Sequence, residues 1–270
     1  MWINTRPGIR VTGVVAFAGV LAAGAGVAHA QARPLAADAA AFTVNGEVAL
    51  HSLMALGDGH MQKLADVLAI LAGTAAARSG DWERIRAQLT GAARVTVPAA
   101  HWFALPDGSY WTLEHGRATA SLADRPYFAR VLAGQTVVGE LVVSRSSNRN
   151  SAVVAVPVRG RDNSIVGVLG SSVQLDSLAA RIRQEMGGLD ESTIFYAIDA
   201  EPLGALNSDP SLIFTDPMKL GDAAMRKAFA DMLTSEEGVV TYDFRGGHRT
   251  VIYRKSPITG WWYAFGVIRR

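Results

Sequence analysis

Apolar residues recur at three- and four-residue spacing between positions 44 and 78, where Val48, Leu53, Leu56, Leu64, Val67, Leu68 and Leu71 fit one long helix. Gly57 and Gly59 weaken its first half and point to a bend. Ser79-Gly80 stops the pattern, and Asp81 is placed to cap a shorter helix through Trp82, Ile85 and Leu89. Beyond it the apolar positions fall into short runs. Residues 101–113 read as two strands about Pro106-Asp107-Gly108, where proline presets φ and glycine admits the turn. Ser121 or Asp124 can cap the next helix, which carries Pro126 in its first turn and ends near Gly134. Strands are predicted at 137–144, 152–158 and 165–173, the last two forming a hairpin that turns at Arg161-Asp162-Asn163. Pro157 cannot donate to a ladder and is expected at a strand end or on an unpaired side. A helix from Leu175 to about Met186 closes at Gly187-Gly188.

The order then repeats. A strand at 193–198, a return to Leu206, a helix over 222–233, strands at 238–244 and 249–255, and a last strand at 261–268 form a second cycle. The expected fold class is α+β: two tandem units with antiparallel sheets, 44–187 and 188–270, and a long N-terminal helix packed along both or linking them. With 270 residues, 49% hydrophobic and 19% charged, the chain has enough interior for two modest domains without staples. The Ala-rich residues 31–43 read as a flexible lead-in.

The first thirty residues have the pattern of a secretory signal. Arg6 and Arg10 form a basic start, 11–27 is uncharged and apolar, and Ala28-His29-Ala30 supplies the small residues of a cleavage site before Gln31. The alternative is an uncleaved anchor, which the Gly/Ala content of this stretch disfavours. Cleavage removes two arginines and no acid from 26 basic and 24 acidic residues, leaving 24 of each. Nucleic-acid binding thereby loses its electrostatic support. Cysteine is absent, which is neutral for a chain of this size.

Enzyme signatures are missing: there is no His-Glu-x-x-His, P-loop, Gly-x-Ser-x-Gly or Rossmann fingerprint. His51 and His60 lie nine apart, off a common helix face, so no metal or cofactor is expected. A secreted hydrolase with no recognisable motif would need His101 or His115 close to a reactive serine, and no such approach is expected.

One constellation carries chemistry. Arg125, Tyr127 and Phe128 fall within one turn at a helix start. A guanidinium fork holds a carboxylate bidentately, aromatic rings wall off a pocket, and a helix N-terminus favours an anion. The alternative is that Arg125 pairs with Asp124 or a neighbouring loop while the rings pack the core. Either Tyr110 or Trp111 can face the same hollow, since adjacent strand residues point opposite ways. Ser144 and Arg145 are further polar candidates at a strand end.

The order of turn, aromatic strand, helix with Arg125-Pro126-Tyr127-Phe128 and apolar hairpin resembles the ligand-binding half of extracellular double Cache sensor domains, which have a PAS-like fold. Thr259-Gly260-Trp261-Trp262-Tyr263 is similar to the closing strand of the second Cache unit. The resemblance implies a ligand pocket in the first unit. Amino-acid-binding members carry an arginine followed by two aromatics, as here, but also two tyrosines and an acid that fall at Ala120, Ser146 and Ser172 in this chain. A serine cannot pair with an ammonium as a carboxylate does, so the expected ligand is an organic acid or another molecule without a charged amine, rather than an α-amino acid. The sequence ends at Arg270 just past the last strand, so a stand-alone periplasmic or secreted sensor is expected, signalling through a separate membrane sensor kinase or chemoreceptor. A ligand-free interaction module of the cell envelope is the other reading.

Overall fold

The structure, a computed structural model, describes residues 10–12 and 43–270. The rest of the expected leader and of the lead-in lies outside the described residues. Strand β1 (Arg10–Thr12) pairs antiparallel with β2 (Thr43–Asn45). Asn45 then caps α1 (Gly46–Ala72) by accepting from the Glu47 amide. This helix runs unbroken through Gly57 and Gly59, against the expected bend. Glycine serves a close approach instead, because a Cβ on Gly57 would lie 2.4 Å from the Tyr263 hydroxyl. The helical pattern does break at Gly73-Thr74. Thr74 accepts from the Ala77 amide and starts a separate helix, α2 (Ala75–Ser79). Asp81 caps α3 (Trp82–Ala93) through the Glu83 and Arg84 amides, as the sequence predicts.

The first sheet contains β3 (Ala99–Ala104), β4 (Tyr110–Thr112), β5 (Gly116–Arg117), β6 (Val137–Val143), β7 (Asn150–Arg159) and β8 (Ile165–Gln174). Its order is β5-β4-β3-β8-β7-β6, antiparallel throughout. Helix α4 (Pro126–Leu132) covers one face. Neither Ser121 nor Asp124 caps it. Arg125 occupies the cap position without a side-chain bond, because Pro126 fixes the first helical φ. Pro157 pairs with Val168 of β8, beyond the last β6 partner at Ala155, so its missing donor faces the unpaired side.

Helix α5 (Leu175–Met186) leads to the second sheet: β9 (Thr193–Ile198), β10 (Gly204–Asn207), β11 (Glu237–Phe244), β12 (Gly247–Lys255) and β13 (Trp262–Arg269), with α6 (Ala223–Leu233) between β10 and β11. Its order is β10-β9-β13-β12-β11. The α+β class with two antiparallel sheets and a long first helix is what the hydrophobic pattern predicts.

Both sheets are covered on both faces, which is why several of their strands read as unbroken apolar runs. One large core joins α1 and α5 to one face of each sheet: Leu64 and Leu68 share it with Val154 and Val156 of β7 and with Tyr263 and Phe265 of β13. The intervening residues point the other way. Val153 and Ala155 enter a smaller core with Phe128 and Val131 of α4, and Trp262 and Ala264 one with Phe229 and Met232 of α6. Each fully buried leucine contributes about 1.5–3 kcal/mol, so the shared core ties both sheets to α1. Polar links reinforce it: Trp261 Nε1 donates to the Gly139 carbonyl at 2.8 Å, joining the second sheet to β6.

Candidate functional site

Between the first sheet and α4 lies a small cavity of about 10 Å³, room for about one water molecule. Six of the eight sequence-predicted residues line it: Tyr110, Arg125, Tyr127, Ser144, Arg145 and Ser172. Two do not. Trp111 takes the opposite face of β4, its ring 6.4 Å from Trp82 and 6.5 Å from Phe103, because Tyr110 already points inward. Phe128 is buried in the core beneath α4 and leaves only Tyr127 of the pair at the cavity. Sequence reasoning missed Trp102, Leu122, Val142 and Ser146 as lining residues. Trp102 could have been found by strand parity, two residues from Ala104 and one from the core-facing Phe103.

The half-buried Arg125 donates from Nη2 to the Val143 carbonyl at 2.8 Å, so it reaches across from the start of α4 to the end of β6. Asp124, beside it, pairs with Arg145 instead. Arg145 forms a two-pronged bond to the Asp124 carboxylate at 2.6 and 2.7 Å and also donates to the Ser121 carbonyl. This strap ties Arg145, a lining residue of the cavity, to the loop before α4. The Arg145 hydrogen bonds hold the Asp124 carboxyl down at about 2, and Asp124 raises the Arg145 pKa in return. Inside, Trp102 Nε1 donates to Ser172 Oγ at 3.3 Å, and the Ser144 and Ser146 hydroxyls lie 3.3 Å apart. Burial raises the pKa of both phenols, against the opposing pull of Arg125 and Arg145, so Tyr110 and Tyr127 are neutral donors. The lining therefore carries two guanidinium groups, two phenols, three serines and no acid.

His101 and Ser171 do approach, contrary to expectation: Nδ1 lies 2.7 Å from Oγ. They are partners in the β3–β8 register, and their exposures are 1% and 0%. Neither lines the cavity, so the pair is a cross-strand hydrogen bond sealed from substrate. Burial holds the His101 pKa down at about 4, from 6.5. A base depressed in this way contributes stability that is complete above pH 6.5 and lost as pH falls towards 4. The shift corresponds to about 3 kcal/mol. His101→Gln is expected to flatten the decline in melting temperature between pH 6.5 and 4; an unchanged slope would show that His101 is not its source.

Solved structures with this arrangement of two sheets and a long helix are sensor domains. The ligand-binding domain of the Pseudomonas aeruginosa PAO1 amino acid chemoreceptor PctB, in complex with L-Arg, superposes with a TM-score of 0.63 at 16% identity, over 83% of this chain and 92% of that one. The ligand-binding domain of the Pseudomonas fluorescens chemoreceptor CtaA, in complex with L-serine, gives 0.60 at 15% identity over 83% and 93%. The periplasmic sensory domain of the Campylobacter jejuni chemoreceptor Tlp1 gives 0.58 at 13% identity over 78% and 88%. The chain has the double Cache fold. No protein-family model and no curated protein matches it. Among the described residues no helix is long and apolar enough to cross a membrane.

Proposed function

We propose that this double Cache chain is the ligand-binding part of an extracytoplasmic sensor and that it captures a small organic acid in the cavity beneath α4. The observation that carries the reading is a cavity wall with two guanidinium groups and no acid. Arg125 and Arg145 can hold a carboxylate through paired N–H bonds, while Tyr110, Tyr127 and the serines serve its remaining acceptors. Ser172 lacks the charge that would grip an ammonium, which favours an organic acid over an α-amino acid. The present hollow holds about one water, so a larger ligand enters by displacing the Arg145–Asp124 strap. Binding then exchanges one carboxylate on Arg145 for another and moves the loop before α4, a displacement that can be passed to a membrane sensor kinase or chemoreceptor. On this reading residues 44–187 form the ligand-binding unit and 188–270 the smaller one, the leader is cut before Gln31, and the protein works in the periplasm or outside the cell.

The test is thermal stabilisation of the full chain by acetate, lactate, pyruvate and succinate, with L-serine and L-arginine for comparison. At a hundred times its dissociation constant a ligand adds about 2.7 kcal/mol, a rise of about 5–10 °C for a fold of this size. Arg125→Gln is expected to abolish the rise. Stabilisation by the amino acids alone would overturn the ligand class. The tightness of the cavity favours one other reading, a ligand-free interaction module, and silence towards every compound would support it.

A further inference from the structure

The second sheet has its own cavity in the corresponding place, between the sheet and the helix that covers it. Its volume is about 30 Å³, three times that of the cavity beneath α4. Most of the wall is apolar: Ile198 of β9, Leu212 and Leu220 of the connecting segment, and Met225 and Phe229 of α6. Polar groups gather at one side. The buried hydroxyls of Tyr196 and Tyr242 lie 3.4 Å apart. Beside them stands Arg249 of β12, whose charge opposes the burial that raises the Tyr242 pKa and whose guanidinium lies over the Phe244 ring at 4.8 Å. The Arg249 Nε is shielded from solvent and has no hydrogen-bond partner. A shielded guanidinium donor without an acceptor is unfavourable, and native structures rarely leave one without a reason.

Arg249, Phe244 and Asn207 also line an open groove of about 560 Å³ at the end of the same sheet where β9 and β12 start and β10, β11 and β13 finish. They form the wall between groove and cavity. Arg245, paired with Asp209, stands in the groove and lies over the same Phe244 ring at 5.1 Å. The groove carries Asp190, Glu191 and Asp209 as well as Arg183, Arg245, Arg249 and Arg270, and Arg249 is the charged residue it shares with the apolar chamber.

We propose that the second unit holds a separate binding site for a short-chain aliphatic monocarboxylate, its carboxylate on Arg249 and Tyr242 and its hydrocarbon chain among Leu212, Leu220, Met225 and Phe229. The chamber has room for about two to three waters as it stands and widens towards the exposed Leu220 as the chain enters. The chemistry differs from that of the first cavity, whose wall carries two guanidinium groups and three serines. A lone guanidinium at the edge of an apolar chamber selects one charge and a greasy tail, and excludes di-acids and polyols, whose further polar groups would be buried unpaired.

The experiment is calorimetric titration of the full chain with sodium acetate, propionate, butyrate and valerate, and with succinate. Saturable binding is expected that strengthens from acetate to butyrate and is absent for succinate at this site. Arg249→Gln is expected to weaken it at least tenfold. Leu220→Trp changes a partly exposed residue at the chamber wall, so it keeps the fold and plugs the space; it is expected to remove binding even where Arg249→Gln fails to fold. Arg125→Gln is expected to leave it intact, which separates this site from the one beneath α4. No saturable binding of any monocarboxylate would overturn the proposal. So would binding that survives both Arg249→Gln and Leu220→Trp, or that disappears only with Arg125→Gln.

Discussion

Replacing Asp58 by alanine is expected to destabilise the protein by about 3–5 kcal/mol, the cost of leaving three buried hydroxyls without their acceptor. Asp58 sits on α1 with 6% exposure. Its carboxylate accepts from the Ser256 hydroxyl at 2.7 and 2.9 Å, from Thr259 at 3.2 Å and from Tyr263 at 3.1 Å. Ser256 in turn accepts from the Ile258 and Thr259 amides, so the acid organises the whole β12–β13 turn. Alanine would leave three buried hydroxyls facing a void beside Gly57, where Tyr263 leaves no room for collapse. Melting temperature is expected to fall by about 10 °C, with asparagine, which keeps one acceptor, losing less. Burial raises the Asp58 pKa above 3.8, against the lowering effect of its hydrogen bonds. For an acid whose folded pKa is raised, the stabilising contribution is complete below its unfolded value and is lost as pH rises through the folded value. The stability of the parent over Asp58→Asn should therefore be largest near pH 4 and narrow upwards. A change of less than 2 °C on Asp58→Ala would mean that this network does not hold α1 to the second sheet.

Features fixed by local pattern could be read from the chain. The β7–β8 hairpin was legible because each strand is a run of small and β-branched residues with polar turn residues between. Asp81 was legible as a cap because an acidic side chain directly precedes the periodic residues. The break at Gly73-Thr74 was not legible, since Ala72, Ala75, Ala76 and Ala77 continue the helical composition on both sides. Two-residue strands such as β5 carry no period at all. The cavity was half legible for a related reason. Arg125 and Tyr127 are brought there by one turn of helix, a local matter. Trp102, Val142 and Ser172 are brought there by the register among β3, β8, β7 and β6, which no single segment specifies. The His101–Ser171 pair has the same origin: their separation of 70 residues hides a partnership that exists only once β3 has aligned with β8.

That register makes Gly170 the most demanding position in the first sheet. Gly170 is the β8 partner of Trp102, whose indole packs against it so closely that a Cβ would lie 2.1, 2.3 and 2.5 Å from three ring atoms. No side-chain atom tolerates such distances, so Gly170→Ala must displace the ring. The same indole lines the cavity, which has room for about one water. A displaced ring is expected to alter the cavity wall and break the Trp102–Ser172 hydrogen bond. Overpacking of this kind costs about 1–3 kcal/mol, a fall of about 5 °C in melting temperature, and valine should cost more than alanine. The same displacement should abolish any stabilisation by carboxylates at Arg125 while leaving binding near Arg249 untouched. Trp102→Phe has a smaller ring and should restore much of the stability of Gly170→Ala, so the two substitutions together should cost less than their sum. Tryptophan fluorescence and melting of the two single variants and the double variant decide the matter. Strict additivity would mean that the ring does not rest on Gly170, and the cavity would then lack the wall from which its shape was derived.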